Sequence, residues 1–249
     1  MVDSLFLIEP VKLAESTAGS LLTLEGDEGF HAVSVQRMKV GNSLLLADGE
    51  GKLAHCEVEA IEGKSTLHAR VIAITITPPP QPRVVVVQAL AKGERGELAV
   101  ELLTEVGVDV IVPWAATRCI VKWDGEKADK GVKKWRTTAR EASKQARRAT
   151  IPQVTNLAHT SDVSRLISET SHAYVLHETG QLKLSSASIP LQGDVLLVVG
   201  PEGGLTDQEL EEFTRKGGTI ARLGPTILRT STAGTVAAGI VMSRTNRWL

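Results

Sequence analysis

Two loops rich in glycine and proline, each placed between an apolar run and a helix, limit most strongly what this chain can fold into. The first apolar run, 195–199, stops at the sequence Gly-Pro-Glu-Gly-Gly over 200–204, which cannot continue a strand. Thr206 and Glu209 then form a capping box, which predicts a helix beginning at Asp207. The loop 200–204 therefore joins the carboxyl end of a buried strand to a helix, where α/β proteins usually bind ligands.

The second loop repeats this arrangement closer to the end of the sequence. The short apolar run Ile220–Leu223 ends at Gly224-Pro225. Thr230-Ser231-Thr232 are good helix caps, so a last helix is predicted from Ala233 to about Arg244, and its interior glycines indicate a close approach of its backbone to a neighbour. The two loops could together form one ligand pocket, although each could equally be an ordinary strand-to-helix turn.

Strands and helices alternate from Arg83 onward, which predicts a parallel sheet covered on both faces. A helix is predicted over Glu94–Val106, with Leu98, Leu102 and Val106 on one face and Gly107 after its end. The other predicted strands of this part are Val84–Val87, Val110–Val112 and Ala173–Leu176.

The first 76 residues have a different character, with alternating patterns and turn signals typical of short antiparallel strands. Asp48-Gly49 predicts a hairpin, and Ala54–Ile61 and Leu67–Ile76 predict two further strands of a small barrel. A short helix is predicted between Gly26 and Arg37, with His31 and Arg37 near its ends. The sequence Thr-Pro-Pro-Pro-Gln-Pro at 77–82 predicts a stiff, extended linker, so the domains are predicted at 1–76 and 83–249.

A strongly basic segment covers 131–148, where Glu141 is the only acidic residue. At helical spacing, Trp135 and the alanines at 139, 142 and 146 would face inward and the charges outward. Such a face is often simply solvated, but an excess of one sign repels itself and would be relieved by a polyanion. The basic residues are Lys133, Lys134, Arg136, Arg140, Lys144, Arg147 and Arg148.

Composition excludes several classes of protein. The formal net charge of −1 over 249 residues means that nucleic-acid binding would depend on local patches rather than on overall charge. Cys56 and Cys119 are the only cysteines, which predicts a reducing compartment without a disulfide framework. The histidines lack the spacing of a zinc site, and no apolar run approaches membrane-spanning length, so a cytoplasmic protein without a structural metal is expected.

The chain resembles the knotted SPOUT class of S-adenosylmethionine-dependent RNA methyltransferases, and within it the RsmE family, which methylates N3 of a uridine in 16S ribosomal RNA. The resemblance is carried by GPEGGLTDQELEEF followed by LGPTILRTSTA and covers nearly the whole chain. One departure is Ser231, where the family often carries an acidic residue. Further matching residues are Phe30-His31, Arg37, Lys92-Gly93-Glu94-Arg95, Glu105-Val106-Gly107, Arg118-Cys119 and the region from Trp123 to Arg148.

This resemblance implies an α/β fold with a parallel sheet and a carboxyl-terminal trefoil knot, preceded by a PUA-like RNA-binding β-barrel. It also implies a homodimer, with 16S ribosomal RNA or the small ribosomal subunit as the partner. S-adenosylmethionine is then expected among three loops, and the predicted cofactor-binding residues are Leu176, His177, Gly200, Pro201, Glu202, Gly203, Gly204, Leu223, Gly224, Ile227 and Leu228.

Arg229 follows these residues directly and is the predicted catalytic residue, since a permanent positive charge could stabilise a uracil anion or hold a phosphate. Glu202 either favours the sulfonium electrostatically or is an ordinary loop acid, and His177 is either a general base or an exposed polar residue. The predicted RNA-binding residues are His31, Arg37, Lys92, Arg140, Lys144, Arg147 and Arg148. Without the resemblance, His31 would more simply be a packed histidine and Arg37 a solvated arginine, with Lys92 equally balanced between solvent and RNA.

Two other classes of protein remain possible on the residues alone. A nucleotide-phosphate binder could use the loop 200–204 at a helix start, but the chain lacks the sequence G-x-x-x-x-G-K-[ST]. A non-catalytic RNA-binding protein would account for the basic segment but would not require two glycine-proline loops. A methyltransferase of the same class acting on another RNA is a third alternative.

Overall fold

A computed structural model describes residues 3–248, which form two compact units. The amino-terminal unit consists of Met1–Pro79 and Ser143–Ile151, and the carboxyl-terminal unit consists of Pro80–Ala142 and Pro152–Leu249. The first change of unit along the chain falls within the proline-rich segment 77–82. The segment 143–151 was predicted to belong to the second domain, whereas the structure groups it with the first.

One five-stranded sheet and two short helices build the amino-terminal unit. The strands follow the order β1-β3-β4-β5-β2, with β1 parallel to β3 and the other pairs antiparallel. A single π-helical turn, His31–Val35, continues directly from the second helix, so a helix is confirmed between Gly26 and Arg37, although His31 lies in its middle. The elements are β1 (Ser4–Leu7), α1 (Pro10–Ala14), β2 (Leu21–Leu24), α2 (Gly26–Phe30), β3 (Ser43–Ala47), β4 (Lys52–Glu62) and β5 (Thr66–Ile76).

The predicted hairpin between β3 and β4 is confirmed, and Asp48 closes it. Its carboxylate accepts hydrogen bonds from the backbone N–H groups of Glu50, Gly51 and Lys52, at 2.7 to 3.0 Å. Aspartate is favoured in turns because its side chain can replace a backbone acceptor in this way. The same turn receives the segment 149–151, since the N–H of Ile151 donates to the carbonyl of Gly49 at 2.8 Å.

Ile151 explains why its segment belongs to the amino-terminal unit. Its side chain packs with a small apolar cluster of Leu5, Leu7, Leu45 and Ala47. The attachment joins residues distant in sequence, so neither the helical pattern of the basic segment nor the turn chemistry of Asp48-Gly49 could reveal it.

A seven-stranded sheet forms the centre of the carboxyl-terminal unit, in the order β10-β12-β9-β11-β6-β7-β8 with every pair parallel. The predicted parallel sheet is therefore confirmed, and its central strands are continuous apolar runs buried on both faces. The elements are β6 (Arg83–Ala89), α3 (Arg95–Val106), β7 (Val110–Trp114), α4 (Glu126–Gln145), β8 (Gln153–Val154), α5 (Thr160–Glu169), β9 (His172–Leu176), β10 (Leu182–Lys183), β11 (Asp194–Val199), α6 (Asp207–Arg215), β12 (Thr219–Arg222) and α7 (Thr230–Ser243).

Helix α3 ends as predicted at Gly107, which adopts the left-handed conformation with φ 107°. Its buried face, however, is not the leucine stripe. Leu98 is 42% exposed, whereas Ala99, Val100 and Leu103 are buried. This face of α3 is buried because it packs against α7. The two helices approach closely at Gly234, where an added Cβ would lie 3.1 Å from a methyl group of Leu103.

Two expectations for helices were wrong in detail. Helix α7 begins at Thr230 rather than at Ala233, because the Thr230 hydroxyl donates to the carbonyl of Gly200 at 2.8 Å instead of capping its own helix. In the basic segment, Trp135, Ala139 and Ala142 are buried as predicted. Ala146 is exposed, because α4 ends at Gln145.

Candidate active site

A cavity of about 660 Å³ lies at the carboxyl ends of β9 and β12, where parallel sheets commonly bind ligands. Six of the predicted cofactor residues line it, namely Leu176, His177, Leu223, Gly224, Ile227 and Leu228. The five residues of the loop 200–204 are not among its lining residues. Six further lining residues were not predicted from the sequence, namely Glu178, Lys183, Arg222, Pro225, Thr226 and Ala233.

Gly180 fixes one wall of this cavity. Strand β12 lies between β9 and β10, so the loop 177–181 that joins β9 to β10 must cross over β12. A Cβ added to Gly180 would lie 2.7 Å from the carbonyl carbon of Ala221 and 2.8 Å from the nitrogen of Arg222. The N–H of His177 also donates to the carbonyl of Ala221 at 2.9 Å, so the crossing loop rests directly on the backbone of β12.

The loop 200–204 is held near both ends by side chains from other parts of the chain. At its start, Thr230 of α7 donates to the Gly200 carbonyl and accepts a hydrogen bond from Nε2 of Gln88 at 3.0 Å. Gln88 is fully buried in β6, so this contact connects a central strand, the loop and the first turn of α7. At its other end, the Arg118 guanidinium donates to the carbonyls of Gly203 and Leu205, at 3.3 and 3.0 Å.

Glu202 occupies the middle of the same loop and points to the segment after β6. Its Oε1 accepts a hydrogen bond from the Lys92 N–H at 3.1 Å and lies 3.7 Å from the guanidinium of Arg95. The negative charge of Glu202 is therefore partly neutralised by the positive charge of Arg95.

Glu209 is a buried carboxylate that fixes the start of α6. The predicted capping box is confirmed, since Glu209 accepts from the Thr206 N–H at 2.9 Å and donates its own N–H to the Thr206 hydroxyl at 3.1 Å. Its second oxygen accepts from the Thr117 N–H at 2.9 Å, so the helix is tied to the segment after β7. Burial raises the pKa of Glu209, but the hydrogen bonds from Thr117 and Thr206 outweigh it and bring the pKa below its ordinary value.

His177 lines the cavity, whereas Arg229 is not among its lining residues. Nδ1 of His177 lies 2.8 Å from the Thr179 hydroxyl, and its Nε2 lies 3.6 Å from the Glu178 carboxylate. Arg229 is the N-cap residue of α7 and follows the lining residue Leu228. Its guanidinium is exposed and makes no hydrogen bond or ion pair within residues 3–248.

The predicted RNA-binding residues of the amino-terminal unit differ in their surroundings. Arg37 and Arg147 are exposed, whereas His31 is half-buried with its Nε2 at 3.2 Å from the amide nitrogen of Gln36. Lys144 was expected to face outward, but its side chain is only 8% exposed and lies 3.0 Å from the Glu28 carboxylate. Arg148 is half-buried, with a guanidinium nitrogen 3.4 Å from the Thr150 hydroxyl.

In the carboxyl-terminal unit, Lys92 lies in the loop between β6 and α3, whereas Arg140 lies on α4. Lys92 is exposed and lines an open groove, together with Arg95 and the ion pair of Lys134 with Glu97 at 2.8 Å. Arg140 is half-buried on α4. Within the residues that the structure describes, no helix has the length and apolar character needed to cross a membrane.

Known proteins resemble this chain in sequence over its whole length. A family model described as an RNA methyltransferase domain matches residues 77–242, and one described as an RNA methyltransferase PUA domain matches residues 24–72. A Mycobacterium bovis protein named ribosomal RNA small subunit methyltransferase E is 44% identical over 252 aligned positions, covering 100% of this chain and 94% of that protein. The Bacillus subtilis protein of the same name is 32% identical, covering 90% of each chain.

Solved structures give the same picture of the fold. A Legionella pneumophila protein, solved with the cofactor S-adenosylmethionine bound, is 28% identical with a TM-score of 0.85, over 98% of this chain and 99% of that one. A Neisseria gonorrhoeae ribosomal RNA small subunit methyltransferase E, also bound to S-adenosylmethionine, is 24% identical with a TM-score of 0.83, over 98% of each chain.

Proposed function

Because this chain belongs to the RNA methyltransferase family that includes the ribosomal RNA small subunit methyltransferase E proteins, we propose that it uses S-adenosylmethionine to methylate small-subunit ribosomal RNA. The proposed target is N3 of a uridine in 16S ribosomal RNA, which the resemblance of the two glycine-proline loops to the RsmE family implies. The observation that carries the proposal is the cavity formed by the loops after β9 and β12.

The residues around the cavity fit S-adenosylmethionine. A volume of about 660 Å³ lies within the range of roughly 300–1,000 Å³ typical of small-molecule sites. Leu176, Leu223 and Leu228 offer an apolar surface suited to an adenine ring, while charged side chains stand elsewhere on the wall. No atom lies within 4 Å of a Cβ built on Gly224, so the backbone there is open to close approach. The remaining predicted cofactor residues lie in the loop 200–204. We propose that this loop supports the cavity indirectly, through the hydrogen bond between the Gly200 carbonyl and Thr230 at the start of α7.

The chemistry requires an unpaired base, because uracil N3 carries a proton and lies on the Watson–Crick edge. S-adenosylmethionine, when bound, supplies an electrophilic methyl group. The chain would contribute the positive charge of Arg229, which lies at the start of α7 directly after the cavity-lining residue Leu228. A guanidinium keeps its proton, so Arg229 would stabilise negative charge on the uracil ring once N3 loses its proton.

RNA binding is proposed for the amino-terminal unit, whose segment 24–72 matches the PUA domain model. With a net charge of −1, the chain must bind phosphates through local groups, and Arg37 and Arg147 are exposed cations of that unit. His31 and Arg148 remain proposed contacts of this unit, and Lys92 and Arg140 are proposed contacts of the carboxyl-terminal unit. For Lys144, the ion pair with Glu28 supports a role in holding the basic segment rather than in contacting phosphate.

The finer features of the fold are proposed on the resemblance: a barrel in the amino-terminal unit, a trefoil knot and a homodimer, in a cytoplasmic protein. The knot is supported by the crossing of the loop 177–181 over β12 at Gly180. The homodimer is supported by Val236 of α7 and Leu98 of α3, which are exposed apolar side chains of the carboxyl-terminal unit. Sedimentation at micromolar concentration tests the homodimer, which a monomer would contradict.

Calorimetric titration with S-adenosylmethionine and with ATP, followed by methyl transfer to 16S ribosomal RNA, tests the function. Binding of S-adenosylmethionine alone, with a methyl group appearing at uridine N3, is the expected result. Binding of ATP instead would indicate a nucleotide-phosphate binder. Binding of RNA without either ligand would indicate a non-catalytic RNA-binding protein.

A further inference from the structure

Two cations stand side by side in the wall of the cavity. Lys183 of β10 and Arg222 of β12 are direct partners in the register of the two parallel strands, and both line the cavity. Like charges placed directly opposite each other on neighbouring strands are unfavourable. Neither side chain forms a hydrogen bond or an ion pair with another residue among residues 3–248.

A carboxylate stands on the same wall, in the crossing loop. Glu178 also lines the cavity, and its side chain is 63% exposed with His177 as its near neighbour at 3.6 Å. The cavity therefore carries a pair of positive charges and a separate negative charge, beside an apolar part formed by Leu176, Leu223 and Ile227.

We propose that Lys183 and Arg222 form a subsite for the α-carboxylate of the cofactor's amino-acid group, and that Glu178 faces its α-ammonium group. This proposal rests on the proposed function, since it takes the cavity to be the S-adenosylmethionine site. The arrangement matches the charges of an amino-acid zwitterion, and the guanidinium of Arg222 has the planar geometry that suits a carboxylate. An RNA phosphate would satisfy the two cations but would leave Glu178 facing an anion, which is why the cofactor is the better occupant.

The strand register makes this subsite dependent on the fold of the crossing loop. Lys183 reaches Arg222 because the loop 177–181 passes over β12 and returns the chain to the far side of that strand. Gly180 allows this passage, and Glu178 lies in the same loop. The three charged residues therefore come together only when the loop is in place.

Calorimetry without RNA tests the proposal with two related ligands. S-adenosylhomocysteine carries the amino-acid group, whereas 5′-methylthioadenosine has the same adenosine and thioether but lacks that group. Lys183→Ala and Arg222→Gln are each expected to lower the affinity for S-adenosylhomocysteine by about tenfold, because each removes one charge-assisted hydrogen bond. Neither variant should change the affinity for 5′-methylthioadenosine.

Three further variants sharpen the comparison. Glu178→Gln should also weaken S-adenosylhomocysteine selectively, because it removes the charge that faces the ammonium group. Arg222→Lys keeps a positive charge and should retain most of the affinity. Lys216→Ala removes an exposed cation from the end of α6, outside the cavity, and should change neither ligand's affinity.

If Lys183→Ala and Arg222→Gln lost affinity equally for S-adenosylhomocysteine and 5′-methylthioadenosine, the proposal would be overturned. Unchanged affinity for S-adenosylhomocysteine would overturn it as well. Loss of RNA affinity with S-adenosylhomocysteine binding unchanged would assign the two cations to RNA phosphates instead. If the parent protein bound neither S-adenosylmethionine nor S-adenosylhomocysteine, the proposed function itself would fail. Thermal unfolding checks each variant, and if Arg222→Gln does not fold, Lys183→Ala on the exposed edge decides the question.

Discussion

At the scale of single residues, the buried carboxylate of Glu209 contributes to the stability of the fold in a way that depends on pH. Its pKa lies below the ordinary value because Thr117 and Thr206 donate hydrogen bonds to the carboxylate. A group with a lowered pKa in the folded state stabilises the fold above its unfolded pKa, and this stabilisation is lost as the pH falls through the folded pKa. Glu209 therefore stabilises the protein at neutral pH and ceases to do so in acid.

Glu209→Gln should lower the free energy of unfolding at pH 7 by about 1–3 kcal/mol, because an amide cannot accept from both backbone N–H groups as a carboxylate does. The difference between parent and variant should shrink as the pH falls below the unfolded value of 4.5. Urea unfolding at several pH values measures it. A constant difference across this range would contradict the assignment of the stabilisation to the ionised carboxylate.

Arg229 gives a prediction about chemistry rather than stability. Arg229→Ala should lower the rate of methyl transfer by about 10–1,000-fold at saturating RNA and cofactor, because it removes a charge needed most in the transition state. Its exposed guanidinium has no partner within residues 3–248, so the folded state should tolerate the change. Single-turnover kinetics measures the rate. Normal turnover at saturation, with only RNA affinity reduced, would make Arg229 a phosphate contact instead.

At the scale of elements, the crossing of the loop 177–181 over β12 depends on Gly180. Gly180→Ala would place a methyl group against the backbone of Ala221 and Arg222, which cannot move aside as a side chain can. The expected cost is about 1–3 kcal/mol of unfolding free energy, together with weaker S-adenosylmethionine binding. Gly224→Ala is the matched control for stability, since no atom lies within 4 Å of its Cβ. Equal unfolding free energies for the two variants would contradict the close crossing.

Gly203 tests how the loop 200–204 is held. A Cβ at this position would lie 3.0 Å from Cβ of Arg118 and 3.1 Å from its carbonyl oxygen, so Gly203→Val should displace Arg118 and release the loop. S-adenosylmethionine affinity should fall in a protein that remains folded, because Gly200 of this loop is hydrogen-bonded to Thr230 in the helix whose Ala233 lines the cavity. Calorimetry on the folded variant measures this, and parental affinity would remove the loop from the cofactor site.

The elements also show where sequence-based reasoning succeeds. The start of α6 and the end of α3 were predicted correctly. The residues that define them, Thr206, Glu209 and Gly107, form hydrogen bonds with groups only a few residues away in sequence. The start of α7 was not, because the Thr230 hydroxyl finds its partners in Gln88 and Gly200, far away in sequence. The pairing of Lys183 with Arg222 depends on the register of a two-residue strand, which no local pattern encodes.

At the scale of the whole molecule, a net charge of −1 requires that RNA binding come from individual exposed cations. Arg37 and Arg147 have φ values of 54° and 52°, and they are the only non-glycine residues with positive φ within residues 3–248. An arginine in this conformation is strained, whereas glycine adopts it readily. Both arginines are exposed, so burial in the core does not account for their presence.

This strain allows a test that separates RNA binding from folding. Replacing Arg37 and Arg147 together with glycine should leave the unfolding free energy unchanged or raise it by up to about 1 kcal/mol per site, because each substitution relieves strain. RNA affinity should nevertheless fall, and the slope of log affinity against log salt should decrease by roughly 0.7–0.9 for each lost phosphate contact. Lys216→Ala removes a cation from the other unit and should leave that slope unchanged. Cofactor affinity should not change in either variant, so a parental salt slope in the double glycine variant would exclude both arginines from the RNA interface.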